Sequence, residues 1–325
     1  MIQYLARRTL HAIILVAITL TISFAILHLA PGDPLVRFVG AGVDPADIER
    51  VRRSLGLDER LPVQYARWVG GVIRGDFGTS LAQNRPVRDM LADAVPRTIL
   101  LTLLALGVQM SLGIWAGAAA ARRRHARADR FLSFLTVALY AIPPFYLAYL
   151  LMTWLAIDRH WLPTSGIATP GLDAGGVAML ADRARHLLMP VLVLGVASAA
   201  GFARYARGSL IDALGEDFVR TARAKGLPEG TVVWRHAFRS SLGTLITVTG
   251  LSAPFLIGGA VIVETVFAWP GMGSLMVASI YARDYPVVLA VNMLGALFVI
   301  AGNLLADVGS AWADPRAGHP ETGRE

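Results

Sequence analysis

Residues 216–244 read EDFVRTARAKGLPEGTVVWRHAFRSSLGT, a polar and basic stretch between two strongly apolar segments. Leu210, Leu214, Phe218 and Ala222 recur every fourth residue. That spacing lays one apolar stripe along a helix carrying Asp212, Glu216, Arg220 and Arg223 elsewhere on its surface. Gly226 is placed to end this helix, because glycine tolerates the left-handed conformation of a helix C-terminus. Pro228 is placed to open the next, because the first helical residue needs no amide hydrogen. The second helix holds Val233, Trp234, Ala237 and Phe238. Two short amphipathic helices joined by a tight Gly-Leu-Pro turn form a compact knob suited to docking on another protein. The plainer alternative is a loop that packs only on itself.

The flanks of this stretch fix the class of protein. Hydrophobic residues make up 55% of the chain and charged ones 16%, with a mean hydropathy of +0.54. That is too much apolar surface for a soluble domain of this size. A spanning helix needs roughly 20 apolar residues. Six stretches meet that length, near Thr9 to Leu29, Thr98 to Ala120, Phe131 to Ile157, His186 to Ala203, Leu245 to Val266, and Val287 to Val308. The expected fold is an all-α integral membrane protein of six transmembrane helices.

The net charge of +7 and pI near 10.2 do not point to nucleic acid, because the basic residues gather at the ends of the apolar stretches. Loop 121–130 holds five arginines and one aspartate, and 204–239 adds six arginines and the chain's only lysine. Both belong inside under the positive-inside rule. With Arg7 and Arg8 ahead of the first span, six crossings return both termini to the cytoplasm. Segment 31–97 balances ten arginines with nine acidic residues and exceeds the roughly 60-residue reach of the rule. The first apolar run is longer than the roughly 7 to 15 residues of a signal-peptide core, and His28-Leu29-Ala30 is no cleavage site, so it reads as a retained anchor. There is no cysteine, which excludes disulfides, thiolate metal sites and cysteine nucleophiles.

Segment 31–97 reads as a helical cap outside the membrane. Asp44-Pro45 offers an N-cap and a first-turn proline, Ile48, Val51 and Leu55 share a face, and Gly56 can stop the helix. Pro62 starts a second helix with Tyr65, Trp68 and Val72 at helical spacing, aromatics best read as the cap's own core. Gly75-Asp76-Phe77-Gly78 breaks the chain before a third short helix around Val87 to Ala94. Within the spans, Gly113 and Gly117 form a small-xxx-small pair, with Gly195 and Gly258-Gly259-Ala260 as further points of close helix approach. Pro143-Pro144 and Pro254 remove backbone donors and should kink the third and fifth spans. Phe145, Tyr146 and Tyr149 beside the first kink are candidates for lining a peptide-sized path, although such residues also fill helix interfaces. After the fifth span Trp269-Pro270-Gly271-Met272 turns the chain into a short helix holding Met276, Val277 and Ile280, a candidate outer gate. Trp161, Trp269 and Tyr285 serve equally well as interfacial anchors. Ionisable residues within spans are few, namely His11, His28, Glu264 and Asp307, which counts against a proton-coupled carrier or an ion channel. Asn292 and Asn303 on the sixth span are suited to bonding neighbouring helices.

The run Arg220-Thr221-Ala222-Arg223-Ala224-Lys225-Gly226-Leu227, followed by Arg235-His236-Ala237-Phe238-Arg239, resembles the coupling-loop signature of ABC importer permeases of the dipeptide/oligopeptide/nickel class. The resemblance extends over nearly the whole chain. It takes in Leu29-Ala30-Pro31-Gly32-Asp33-Pro34, Leu55-Gly56-Leu57-Asp58, Leu61-Pro62-Val63-Gln64-Tyr65 and Trp161-Leu162-Pro163-Thr164-Ser165-Gly166. It continues through Trp269-Pro270-Gly271-Met272-Gly273 and Arg283-Asp284-Tyr285-Pro286-Val287-Val288 to Asp314-Pro315-Arg316. Each word alone is weak, and the ordered set is strong. Where such permeases usually carry Leu-Leu-Pro after the loop, this chain has Leu242-Gly243-Thr244, which leaves the geometry of the helix exit open.

The resemblance implies a type I ABC importer permease architecture. Its parts would be an N-terminal segment and first span (1–30), an extracytoplasmic helical cap (31–97), a permease domain (98–309) with its coupling loop at about 204–244, and a cytoplasmic tail (310–325). It implies a bacterial inner membrane location, a second similar permease, two ATP-binding subunits and an extracytoplasmic substrate-binding protein, with peptides as cargo. Arg220, Thr221, Ala222, Arg223, Lys225, Gly226 and Leu227 would meet the ATPase, while Leu214 and Phe218 anchor the knob. No cofactor is expected on this chain, since ATP and Mg would sit on the partner subunits. Consistent with that division, a P-loop needs Gly-Lys followed by Ser or Thr, and Lys225 lies between Ala224 and Gly226. The chain also lacks the H-E-x-x-H and G-x-S-x-G patterns. Two other classes stand against this reading: an ATP-independent secondary carrier, for which no internal repeat is evident, and a polytopic membrane enzyme using His28 or Glu264 in proton transfer.

Overall fold

The computed structural model describes residues 2–29, 45–54, 56–122, 126–172 and 175–313. Regular structure among them is helical: α1 (Ile2–Leu29), α2 (Pro45–Ser54), α3 (Leu61–Ile73), α4 (Val87–Arg122), α5 (Arg127–Ala141), α6 (Pro144–Leu151), α7 (Gly176–Gly215), α8 (Asp217–Ala224), α9 (Glu229–Thr231), α10 (Phe238–Val266), α11 (Met272–Tyr281) and α12 (Tyr285–Ala313). Wider π-helical turns extend α6 over Met152–Asp158 and join α9 to α10 over Val232–Ala237. Several expectations fall outside the described residues: the 30–34 word, the Asp44 cap, Leu55, arginines 123 and 124, and the 314–316 word. So do the side chains of Ile48, Val51, Pro254 and Asp307.

Three helices are long and apolar enough alone to cross a bilayer, Val87–Arg122, Gly176–Gly215 and Tyr285–Ala306. Two bent pairs raise the number to five. The apolar part of α1, Ile13–Leu29, is shorter. The bends fall at the prolines: α5 and the helix that follows Pro143 meet at 98°, and Glu229–Ser252 meets Leu256–Val266 at 48° around Pro254. At Pro143 a missing amide hydrogen and a ring that crowds the preceding turn explain the bend. By contrast Pro96 and Pro190 lie inside unbroken helices.

The chain forms two compact units. One comprises residues 1–97 and 271–300, the other 98–270 and 301–325. In the first, Val87, Met90, Leu91, Met272, Val287 and Ala290 share a buried core. Here α3 lies on α1: the Tyr65 and Thr21 hydroxyls are 2.7 Å apart, and the Phe24 ring meets Tyr65 at 5.3 Å and Trp68 at 6.0 Å. The aromatics expected to form a separate cap core therefore pack on the first long helix, although no residue of α3 is fully buried there. The third cap helix is also not a separate element. Val87 to Ala94 are the first turns of the 36-residue α4, which runs on through Pro96 without a break. Asn292 donates to Ser23 Oγ at 2.5 Å, the interhelical bond expected of it.

In the second unit Leu101, Met189, Val193, Leu256, Val263 and Phe267 share one buried core. Glycines let α4 and α7 touch. A Cβ on Gly117 would lie 2.7 Å from Ala206 Cβ and 2.9 Å from the Ala203 carbonyl oxygen. One on Gly113 would meet Phe202 at 2.7 Å, and one on Gly195 would meet Val108 at 2.7 Å. Gly258 faces open space and is no approach point, whereas Gly259 lies against Leu194. The exit from the 216–244 stretch is straight: Leu242, Gly243 and Thr244 continue α10 without a break, as a sequence lacking proline there allows.

Candidate functional site

The 216–232 segment forms a small helical corner. α7 stops at Gly215, Glu216 takes an extended conformation (φ −72°, ψ 153°), and α8 starts anew at Asp217. This break overturns the single apolar stripe expected along one continuous helix. After it the phase of the helix resets, so Val219 and Ala222 face inward with Val232, and partly buried Leu214 packs against them. Phe218, expected as an anchor, is 42% exposed. Val219, which the every-fourth-residue count passed over, is fully buried in its place.

The turn after α8 is a complete Schellman closure. The Gly226 N–H donates to Arg223 O (2.9 Å) and the Leu227 N–H to Ala222 O (3.3 Å), with Gly226 at φ +73°. Pro228 caps α9 from outside, one position earlier than expected, and Glu229 is the first helical residue. Nor is the second helix a free element, since it runs through the π-helical turn into α10. Arg223 spans the corner: its Nε donates to Glu229 Oε2 (3.2 Å) and its Nη2 to Oε1 (2.7 Å). This hydrogen bond, then the Arg223 charge and that of Arg122, hold the Glu229 carboxyl below the ordinary glutamate range against partial desolvation. Arg220 reaches back to Asp217 at 3.0 Å. Arg220, Thr221, Lys225, Gly226 and Leu227 are all exposed, whereas Ala222 is buried beneath them.

The remaining candidates separate into exposed and buried sets. On α6, Phe145, Tyr146 and Tyr149 are exposed on one side, while Leu147, Ala148 and Leu151 pack inward. Trp269 is buried with Phe267 and Val263, so it is not an interfacial anchor; its N–H donates to Glu264 O at 2.8 Å. Met272 is buried in the core around Val287. Gly271 is buried and Pro270 half-buried. Glu264 is fully buried and accepts a hydrogen bond from Thr98 Oγ1 at 2.6 Å. Among the described residues no group of three or more His, Asp or Glu has metal-ligand spacing.

Two buried carboxylates escaped the sequence reading. Asp284, fully buried, accepts from the Ser80 hydroxyl and from the N–H groups of Leu81 (3.0 Å) and Ala82 (3.1 Å). Asp129 accepts a two-pronged bond from Arg207, Nε to Oδ1 at 2.8 Å and Nη2 to Oδ2 at 2.9 Å. A signal existed for each. Asp129 is the one acidic residue in the arginine-rich 121–130 loop, and Asp284 lies two residues before the proline that starts a long apolar run.

Long apolar helices joined by an exposed, internally closed helical corner define a polytopic membrane protein. Comparison with known proteins then gives the family. The profile described as binding-protein-dependent transport system inner membrane component matches residues 110–319, and its N-terminal counterpart matches residues 1–102. The chain belongs to this family, as the permease subunit of an ABC importer. It is 39% identical over 318 residues to the oligopeptide transport system permease protein AppB of Bacillus subtilis, covering 97% of this chain and 99% of that one. It is 39% identical over 315 residues to the glutathione transport system permease protein GsiC of Salmonella paratyphi A, covering 97% and 98%. Among solved structures, an inward-facing form of the MetNI methionine ABC transporter aligns with a TM-score of 0.53 at 16% identity, over 68% of this chain and 96% of that one. At that identity the likeness concerns the fold.

Proposed function

We propose that this chain, paired with a second similar permease, forms the membrane path through which an ABC importer takes up peptides. An extracytoplasmic binding protein would deliver the cargo, and two separate ATPases would drive the cycle. The peptide assignment draws on relatives named for oligopeptide and glutathione transport, which are both peptide substrates. In this reading α1 is the first span and brings the total to six: its 28 residues reach about 42 Å, beyond the roughly 30 Å hydrocarbon thickness. Both termini then lie in the cytoplasm with the 121–130 and 204–239 loops, in keeping with their arginines. Segment 31–97 lies outside, and the turn at 269–272 is the outer gate.

The observation that carries the proposal is the 217–229 corner. It is closed at Gly226, fastened by Arg223 to Glu229, and seated on Val219, Ala222 and Val232. A push on such a rigid corner passes to α7 and α10 without being lost in local bending, as switching between inward and outward states requires. Arg220, Lys225, Phe218 and Leu227 present charged and apolar contacts to the ATPase. Phe145, Tyr146 and Tyr149 face the cargo path. Gly226→Pro tests the proposal, because proline takes neither φ +73° nor the N–H bond to Arg223. In vesicles carrying the whole transporter, the variant should insert normally, yet hydrolyse ATP without peptide uptake. Wild-type uptake by Gly226→Pro would remove the coupling role from this segment.

A further inference from the structure

Loop 79–86, which leads into α4, is folded on itself within the first unit. Thr79 pairs with Pro86 in an antiparallel bridge, the Ser80 N–H donates to Arg85 O at 2.9 Å, and the Val87 N–H donates to Gly78 O at 2.9 Å. The Ser80 hydroxyl and the Leu81 and Ala82 N–H groups converge on the Asp284 carboxylate, the two N–H groups at 3.0 and 3.1 Å. The Gln83 N–H donates in turn to Ser80 Oγ at 2.9 Å. Successive donors of this kind make a concavity for an anion, and here the anion is the chain's own. Asp284 is 0% exposed and Ser80 2%.

The backbone of Asp284 is held as firmly as its side chain. Its N–H donates to Ser279 O at 2.8 Å, closing α11, and its carbonyl accepts from the Val288 N–H at 3.0 Å, opening α12. At the other end of α11, Met272 is buried with Val87, Met90 and Val287, and Leu275 and Met276 pack against that core. Helix α11 is thus tied at one end to the loop before α4 and at the other to the core of the first turns of α4. We propose that Asp284 is a latch that stays shut through the transport cycle. Loop 79–86, the first turns of α4, α11 and the start of α12 travel as one block, and α11 is no separate flap. Opening the latch would strand a carboxylate without surface to water together with its donors, whereas moving the whole block breaks none of these bonds. The outer mouth therefore opens only as the first turns of α4 move. This inference rests on the reading of the 269–272 turn and α11 as the outer gate.

A chain with no native cysteine allows the block to be fixed chemically. A Cβ on Gly78 would lie 3.8 Å from Pro286 Cβ, the usual separation in a disulfide. Gly78→Cys with Pro286→Cys therefore joins the two sides beside the latch and leaves Ser80 and Asp284 in place. In vesicles carrying the whole transporter, the oxidised variant should take up as much peptide per ATP as the same variant reduced. Uptake lost on oxidation and restored by a reductant would overturn the proposal, because the latch would then have to open in each cycle. Gly78 has φ +80°, so a reduced form that is inactive is replaced by Ala82→Cys with Arg283→Cys, joined by a short reducible bis-thiol reagent and read in the same way. Asp284→Ala should lower the peptide taken up per ATP, and the Gly78–Pro286 disulfide should restore it. A ratio unchanged by Asp284→Ala, or a lowered one that the disulfide does not restore, would also overturn the latch. Ala278→Cys, exposed on α11, checks the gate separately. Reactivity towards a water-soluble maleimide that differs between nucleotide-free and ATP-bound transporter supports the gate. Equal reactivity removes the gate role from α11, and the latch with it.

Discussion

Arg223 and Glu229 close the turn around Gly226 with two side-chain hydrogen bonds, at 3.2 and 2.7 Å, joining the last turn of α8 to the first of α9. The pair is nearly half exposed on each side, so solvent screens it. Its value lies in geometry: it fixes the angle at which the exposed corner is presented.

The sign of its pH dependence follows from the lowered Glu229 pKa. A carboxyl whose folded pKa lies below its unfolded value adds stability above the unfolded pKa and loses it as pH falls through the folded one. Arg223→Gln should therefore lower the thermal stability of the purified protein at neutral pH by up to ~1 kcal/mol. The difference from wild type should close in acid, below the usual glutamate range. A gap that persists in acid would mean that Arg223 acts through packing and not through Glu229.

Asp284 gathers one hydroxyl and two backbone N–H groups at a fully buried carboxylate. Removing it strands donors on the 80–82 turn, and an unmade buried hydrogen bond costs about 1 to 3 kcal/mol. Asp284→Ala should lower stability in detergent by more than Asp284→Asn, which keeps one oxygen acceptor. Equal losses in the two variants would show that the charge, and not the number of acceptors, holds the turn.

The sequence made the long helices legible because an apolar run of spanning length has few other uses. It also gave the end of α8, since Gly226 is the residue type that φ +73° demands. It misplaced the inward face of α8 for a definite reason. Four-residue periodicity assumes an unbroken helix, and the break falls at Gly215, where α7 ends, and the extended Glu216 after it; a lone glycine within a helical pattern does not by itself announce a break. The Asp129 and Asp284 bonds were illegible because their partners lie 78 and about 200 residues away. Only the fold brings them together. Segment 31–97 was read as self-contained for a related reason, since helical spacing tells which residues share a face but not which helix they face.

Close packing of α4 on α7 predicts an unequal response among glycines. A methyl on Gly117 would meet the Arg207 nitrogen at 2.8 Å and the Ala203 oxygen at 2.9 Å, both backbone atoms that cannot swing aside. Gly107, on the same helix, faces nothing within 4 Å. Gly117→Ala should destabilise by about 1 to 3 kcal/mol through overpacking. Gly107→Ala should be neutral or gain up to ~1 kcal/mol from helix propensity. Thermal unfolding in detergent reads both. Matching effects at the two sites would mean that the helices move apart without cost.

Asp129 and Arg207 tie the base of α5 to α7, a few residues before the corner at Glu216. Asp129 is 4% exposed, so its charge is held away from water, and the guanidinium pairs with both of its oxygens. The fork supplies two parallel bonds that a lysine ammonium does not reproduce. Arg207→Ala should therefore cost about 1 to 3 kcal/mol, since the carboxylate is buried while about a third of the arginine side chain is exposed. Asp129→Ala with Arg207→Ala should cost less than Arg207→Ala alone, because the desolvated carboxylate has also gone. If the pair also transmits force from the corner, Arg207→Lys should hydrolyse ATP with weakened uptake while its stability falls less than that of Arg207→Ala. The informative readout is the ratio of peptide taken up to ATP consumed. A ratio unchanged in Arg207→Lys, together with a double mutant as unstable as Arg207→Ala, would confine the pair to neither role and assign the bond between α5 and α7 to apolar packing.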